Sequence, residues 1–201
     1  CSAMCVNTTE RAGIAKDLAP HGLEANAVKT CITDLMQDAA QSLLQLCGAM
    51  GYRLDHIAGR AVVDSRPFQI FEGSNDILYA QISEALLKQM KVAKQVNLYS
   101  FLKDYELTSR ASDRLKPLLQ FEIDAAMAQR KLVELGQVIS RIIAMELVIK
   151  LGERSFDPQL IEASLATLQQ EVTGLLSSCA CDHRAGLIDP DKEHPSWRSF
   201  C

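Results

Sequence analysis

Apolar residues recur at helical spacing over most of this chain, and the breaks between them fall at glycine and proline. Residues 3–18 predict a helix that ends at Pro20-His21-Gly22. Residues 23–47 predict a second, with Ala27, Cys31, Leu35, Ala39, Leu43 and Leu46 as its apolar stripe and Gly48 and Gly51 as its stop. A polar loop and a short helix lead to Arg66. A turn around Glu72-Gly73 follows, then a helix over about 75–93 whose Ile77, Leu78, Ile82, Ala85 and Leu86 share one face. Beyond it, 98–109 predicts a short helix, and Asp113–Leu119 continues helically with Pro117 as a break or kink. The run from about Pro117 to Leu151 has the strongest pattern in the chain, carried by Met127, Val133, Val138, Ile142, Met145, Val148 and Ile149 and capped by Gly152. Glu134, Arg141 and Glu146 read as its solvated face, which favours core packing over a membrane-surface role. Asp157-Pro158 opens a last helix to about Cys181. The tail with Pro190, Pro195 and Trp197 has no regular pattern.

These periods predict an all-α fold in two parts, residues 1–95 and 96–201, with no internal repeat. The low aromatic content of 5% and only 10 glycines fit helices better than sheets. A chain of 201 residues with 48% hydrophobic and 23% charged residues can bury a core and is that of an ordinary soluble globular protein. Its net charge of −4 argues against a nucleic-acid groove or an anionic membrane surface as main partner. No apolar run reaches the roughly 18–20 residues that span a bilayer. Seven cysteines, an odd number, with Cys5, Cys31 and Cys47 in apolar or helical contexts, favour free thiols in a reducing compartment. That compartment is expected to be the cytoplasm, or the mitochondrial matrix in a eukaryote. The chain begins at Cys1 directly in a helical pattern, which predicts a segment of a longer protein.

The candidate chemistry lies in Gln69-Ile70-Phe71-Glu72-Gly73-Ser74-Asn75-Asp76-Ile77-Leu78. Ser74 is a good N-cap, and Asp76 sits in the first turn, where the helix dipole favours an anion. Glu72 falls just outside the helix, beside a glycine that lets backbone approach a ligand closely. A carboxylate there can act as a base, with Ile70 and Phe71 helping to dry it. It can equally be a turn carboxylate that interacts only with the helix N-terminus. Cys179-Ala180-Cys181-Asp182-His183 invites a metal reading, with His194 or Cys201 as a fourth ligand. Its spacing matches no common structural zinc site well, and a fraying helix end is preferred. His21 and His56 read as surface histidines, and no G-x-S-x-G motif supports Ser/His/Asp catalysis.

Gln45-Leu46-Cys47-Gly48-Ala49-Met50-Gly51-Tyr52, then Asp64, then Glu72-Gly73-Ser74-Asn75-Asp76-Ile77, resembles the C-terminal helical domain of acyl-CoA dehydrogenases. In that family one helix ends in a Gln-x-x-Gly-Gly-x-Gly-aromatic turn, and an Arg-Asp pair follows on a short helix. A Glu-Gly-Thr-Asn-(Asp/Glu)-Ile turn then opens the next helix. The spacing from Tyr52 to Glu72 fits without a gap, and the resemblance covers residues 20–92 well. It implies an FAD-dependent oxidoreductase of fatty acid metabolism that dehydrogenates acyl-CoA thioesters, with Glu72 as the α-proton base and the flavin as hydride acceptor. It also implies that Gln45, Gly48, Ala49, Ser74 and Asp76 touch FAD, and that the Gly73 backbone lies near the thioester. Some long-chain members carry an extra helical domain after this point.

Two positions depart from the family pattern. Ala49 replaces the second glycine of the pair, where a methyl group hinders close approach or a positive φ. Val63 precedes Asp64 in place of arginine, with Arg60 and Arg66 as candidate substitutes for its ion pair. The implied partners are acyl-CoA, an electron-transfer flavoprotein or similar acceptor, and a second copy of the chain in a homodimer or tetramer. Because the flavin-binding segments of the family are absent from these residues, the chain alone is expected neither to hold FAD well nor to turn over substrate. Two alternatives remain: a non-catalytic helical interaction or assembly module of the same fold, and a related FAD oxidase.

Overall fold

A computed structural model describes residues 1–12, 21–123 and 127–180. Helix α1 (Ser2–Arg11), α2 (Gly22–Cys47), α3 (Ile57–Ser65) and α4 (Asn75–Ala93) come first. Three short helices follow: α5 (Leu98–Asp104), α6 (Ser109–Arg114) and α7 (Lys116–Leu119). Two long ones close the chain, α8 (Gln129–Gly152) and α9 (Pro158–Ala180). Single 3₁₀ turns, Gly48–Met50 and Arg66–Gln69, flank α3. No strand occurs among the described residues, so the all-α expectation holds.

Helix α8 is the centre of the molecule. It packs against α1, α2, α4, α6 and α9, and Leu135, Val138, Ile139, Ile142, Ile143, Met145 and Leu147 are buried around most of its circumference. A helix apolar on most sides belongs inside a protein. Small residues let α2, α4 and α8 approach closely. Ser140 on α8 donates to the Ala27 carbonyl (3.1 Å) and meets Thr30 Oγ1 (3.2 Å) on α2, while Ser83 on α4 donates to the Leu132 carbonyl (2.6 Å). One continuous apolar cluster therefore runs from Met4 through Cys31, Ile82 and Leu102 to Val172.

Several sequence expectations change in detail. Helix α1 stops at Arg11, where Ala12 turns extended (φ −77°, ψ 127°); the rest of the expected 3–18 helix lies outside the described residues. On α2 the buried side is Ala27, Val28, Thr30, Cys31, Thr33 and Ala40, whereas Ala39, Leu43 and Leu46 are exposed. Periodicity identified a helix but overextended its covered stripe: α3 packs along α2, yet leaves the side carrying Ala39, Leu43 and Leu46 open. Ile77 likewise points to solvent, and Tyr79, Ala80, Ser83 and Met90 complete the α4 face.

The expected helix over 98–109 ends at Asp104, and the long run from Pro117 breaks after Leu119, at the end of α7, with α8 starting only at Gln129. Between them the backbone at Phe121–Ile123 lies alongside Val96–Leu98. Leu98 N–H donates to the Phe121 carbonyl and Ile123 N–H to the Val96 carbonyl, both at 3.0 Å. These bonds take backbone groups a helix would have used. Gly152 is the last residue of α8, not its cap. Lys94 ends α4 in the left-handed region (φ 53°), with Gln95 N–H reaching back to the Met90 carbonyl at 3.0 Å.

Arg141 and Glu146 do not form a solvated face. Glu146 is 1% exposed and accepts the backbone N–H groups of Arg110 and Ala111, each at 2.9 Å, together with Arg110 Nε at 2.7 Å. It closes the N-terminus of α6 from another helix. Among the described residues no helix is long and apolar enough to cross a membrane. Cys1, Cys5, Cys31 and Cys47 are free thiols, of which Cys31 is buried. The Cys179–His183 motif from Cys181 onward and the Pro190–Trp197 tail lie outside the described residues.

Candidate functional site

The loop between Gln69 and Asn75 is held by α2. Asp34 Oδ1 accepts Gln69 Nε2 at 2.9 Å on the near side of the loop and Asn75 Nδ2 at 2.7 Å on the far side. One carboxylate oxygen thus closes the loop at both ends. Lys29, just over one helical turn earlier on α2, donates to the Gly73 carbonyl (3.0 Å) and to Asn75 Oδ1 (2.8 Å). Asn75 is buried, and its amide also donates to Thr33 Oγ1 at 2.9 Å. A loop of five residues is therefore tied down by three side chains of one helix face, Lys29, Thr33 and Asp34.

At its apex, Glu72 and Gly73 both have positive φ, 58° and 98°. Glycine adopts such a backbone freely, but glutamate in the left-handed region is strained. Strain of this kind, about 1–3 kcal/mol, persists only where surrounding contacts over-determine it, and it concentrates at functional sites. The Glu72 side chain is exposed, as are Ile70 and Phe71, so these two apolar neighbours do not dry it. Among the described residues no hydrogen bond or ion pair occupies its carboxylate. Burial pushes the Lys29 ammonium down from the usual lysine range; the Asp34 and Glu72 charges oppose that shift.

The other oxygen of Asp34 faces the second half of the chain. Oδ2 accepts the Tyr79 hydroxyl of α4 and, at 2.8 Å, Arg141 Nη2 of α8. Arg141 also donates to the Tyr79 hydroxyl, lies over its ring (5.6 Å to the centroid), and reaches Glu171 of α9 through Nε at 3.4 Å. Burial pushes the Asp34 carboxyl up, but the hydrogen bonds from Tyr79 and Arg141, the guanidinium charge and Gln69 outweigh it and hold the group below the usual carboxylate range. Burial raises the Tyr79 phenol, which stays a neutral donor.

The remaining predicted positions fall into two groups. Ser74 and Asp76 share the loop with Glu72 and Gly73. Ser74 occupies the N-cap position, yet its hydroxyl makes no capping bond, so α4 begins without the expected side-chain cap. Asp76 is exposed in the first turn. Gln45, Gly48 and Ala49 lie at the other end of α2. Gln45 is eleven residues beyond Asp34, about 16 Å along the axis, so the two groups do not converge on one pocket of this chain. Gly48 needs its glycine for a φ of 54°, whereas Ala49 sits at negative φ in the 3₁₀ turn and its methyl group is accommodated without strain. Gly59 of α3 braces this turn: a Cβ there would lie 2.4 Å from the Arg53 carbonyl oxygen. Arg66 donates to Gln69 Oε1 at 2.6 Å and is spent inside the loop rather than on Asp64.

An open groove of about 720 Å³ runs beside the loop, lined by Gln37, Gln41, Val62, Arg66, Ile70 and Phe71. Leu46, Met50, Tyr52, Leu54, Ile57 and Phe68 are also exposed, so apolar side chains surround both turns. Among the described residues no group of three or more potential ligands could hold a metal ion.

Sequence reasoning missed Lys29, Asp34, Asn75, Tyr79 and Arg141. The signal was present in part: Lys29, Thr30, Thr33 and Asp34 interrupt the apolar pattern of α2, and Arg141 is a lone cation in an apolar helix centre. Buried charges need partners.

Residues 3–87 match the family model described as acyl-CoA dehydrogenase, C-terminal domain. The matched span takes in both glycine turns and every site residue predicted from the sequence. No curated protein and no solved structure matches the chain.

Proposed function

From the match of residues 3–87 to the acyl-CoA dehydrogenase C-terminal domain model, we propose that the chain is the C-terminal part of a flavin-dependent enzyme dehydrogenating acyl-CoA thioesters. Glu72 is the base that takes the α-proton. The single observation that carries this reading is the backbone at Glu72, held at φ 58° on a loop tied down on either side while its carboxylate is left exposed and unpaired among the described residues. A loop that only needed to turn would place glycine there.

The residues fit the edge of a dinucleotide site rather than its centre. Gln45 offers a carboxamide, Ser74 a hydroxyl not used for capping, and Asp76 a carboxylate, with the Gly48-Ala49 backbone exposed between apolar side chains. No lysine or arginine lies between Gln45 and Tyr52 to neutralise a pyrophosphate. The separation of the two groups along α2, about 16 Å of helix from Asp34 beside the loop to Gln45, fits contacts to different parts of FAD, or to two FAD molecules in a homodimer or tetramer. When bound, FAD supplies the acceptor for the β-hydrogen as hydride.

This chain contributes the carboxylate, its placement and the Gly73 backbone beside the thioester. Acyl-CoA covering the open face would displace water from Glu72, which favours uptake of the α-proton. Electrons then leave for an electron-transfer flavoprotein or similar acceptor. The described residues beyond 95 act as an additional helical domain that braces the first through α8.

Glu72→Gln in the full-length protein tests the assignment. Loss of a positioned general base lowers kcat by about 10²–10⁴-fold; undiminished acyl-CoA dehydrogenation would remove Glu72 from the reaction. The exposed apolar residues around Tyr52 and Phe68 also suit a non-catalytic assembly module, and that reading gains if the wild-type protein fails to dehydrogenate any acyl-CoA.

A further inference from the structure

We propose that Arg141, a residue of the additional helical segment far outside the matched span, is a positioning residue for the Glu72 loop and acts on it through Asp34. Its catalytic consequence rests on the reading of Glu72 as base; its structural consequence does not.

The connection is a chain of direct contacts. Arg141 Nη2 holds Asp34 Oδ2 at 2.8 Å, and Asp34 Oδ1 holds Gln69 and Asn75, the two residues that bound the loop. Tyr79 bridges the same carboxylate and guanidinium. The Arg141 side chain is 12% exposed and that of Asp34 18%, so water does not readily replace either partner. Without the guanidinium, the Asp34 carboxylate loses its only cation in direct contact among the described residues. It would then turn toward Lys29, take up a proton, or draw in water. Each of these outcomes alters the acceptor that Gln69 and Asn75 share. Glu171 is a different matter: it touches Arg141 Nε from the far side at 3.4 Å, has no contact with the loop, and lies on α9. Two residues of one network thus differ in role. Arg141 positions the loop and Glu171 does not.

Hydrogen exchange on the full-length protein reads this directly. In Arg141→Leu the amides of residues 70–76 are expected to exchange about tenfold faster than in the wild type, while amides of α5 and α6 keep their rates. Arg141→Lys, which keeps the charge but not the two-pronged geometry, gives an intermediate rate. Glu171→Gln leaves residues 70–76 unchanged. In acyl-CoA dehydrogenation Arg141→Leu lowers kcat about tenfold with KM within about twofold of wild type, since the base is misplaced while the binding surface remains.

Unchanged exchange at residues 70–76 in Arg141→Leu overturns the proposal, as does a uniform rise across all helices, which would mean general destabilisation. If Arg141→Leu does not fold, Arg141→Lys carries the same ratio, and an unaltered ratio there overturns the proposal too. Should the exchange respond while Glu72→Gln retains full activity, the clamp stands and the catalytic reading of Glu72 fails.

Discussion

Gly136 of α8 lies so close to Tyr79 of α4 that a Cβ on it would sit 2.0 Å from the Tyr79 carbonyl oxygen and 2.6 Å from its carbonyl carbon. The crossing of α4 and α8 is therefore a backbone-to-backbone contact, and the residue it touches is the one whose hydroxyl bridges Asp34 and Arg141. Packing of the two helices and placement of the candidate site share a single point.

Gly136→Ala should be among the most damaging small substitutions in this chain. The atoms met are backbone atoms of α4, so neither side can give without separating α4 from α8. Destabilisation of about 3 kcal/mol is expected, read as a lower denaturation midpoint in urea. An unchanged midpoint would mean that the helices do not cross at this distance.

Acid should weaken the structure partly through Asp34. Its folded-state pKa lies below the ordinary value of 3.8, so the ionised group adds stability at neutral pH. That contribution is complete above the unfolded value and is lost as pH falls from about 3.8 through the folded value. Asp34→Asn should accordingly lower stability at pH 7, and the gap between variant and wild type should narrow as pH drops below that value. Urea denaturation at a series of pH values measures it; a gap that widens in acid contradicts the assignment.

Cys31 offers a probe of the core. It is 1% exposed, and burial pushes its thiol up to about 11. Both factors suppress the thiolate that reacts with alkylating agents. Iodoacetamide at pH 7.5 should modify the exposed Cys5 in the native protein and leave Cys31 intact until denaturant is added, as peptide mass spectrometry would register. Native-state labelling of Cys31 as fast as that of Cys5 would show that α2 is not packed as described.

Much of this architecture was readable where the signal is local. The bounds of α2 and α4 follow from glycine at 48 and the turn at 73–74, and the helix period is carried by neighbouring residues alone. The Glu72 turn was visible for the same reason. Its support was not: Arg141 and Asp34 are 107 positions apart, and nothing in either local pattern says which helix will lie opposite. Arg141 and Glu146 looked like a solvated face because a helical wheel records only the helix itself. Their partners, Asp34 and the N-terminus of α6, come from elements that surround α8 on several sides. The same limit explains Leu43 and Leu46, apolar residues at the right spacing that α3, packed along α2, leaves exposed.

Glu72 provides the sharpest division between stability and function. At φ 58° a side chain costs about 1 kcal/mol relative to glycine, and any L-residue retains that cost. Glu72→Ala removes the carboxylate and keeps the strain, while Glu72→Gly removes both. The two variants should lose acyl-CoA dehydrogenation alike, yet Glu72→Gly should be more stable than Glu72→Ala by up to about 1 kcal/mol, less what the extra glycine adds to the entropy of the unfolded chain. Differential scanning calorimetry of the pair, each in the full-length protein, measures the difference. A residue kept at this position for its conformation alone would be improved by glycine without loss of activity. A gain in stability joined to a loss of activity would identify strain retained because the carboxylate is needed.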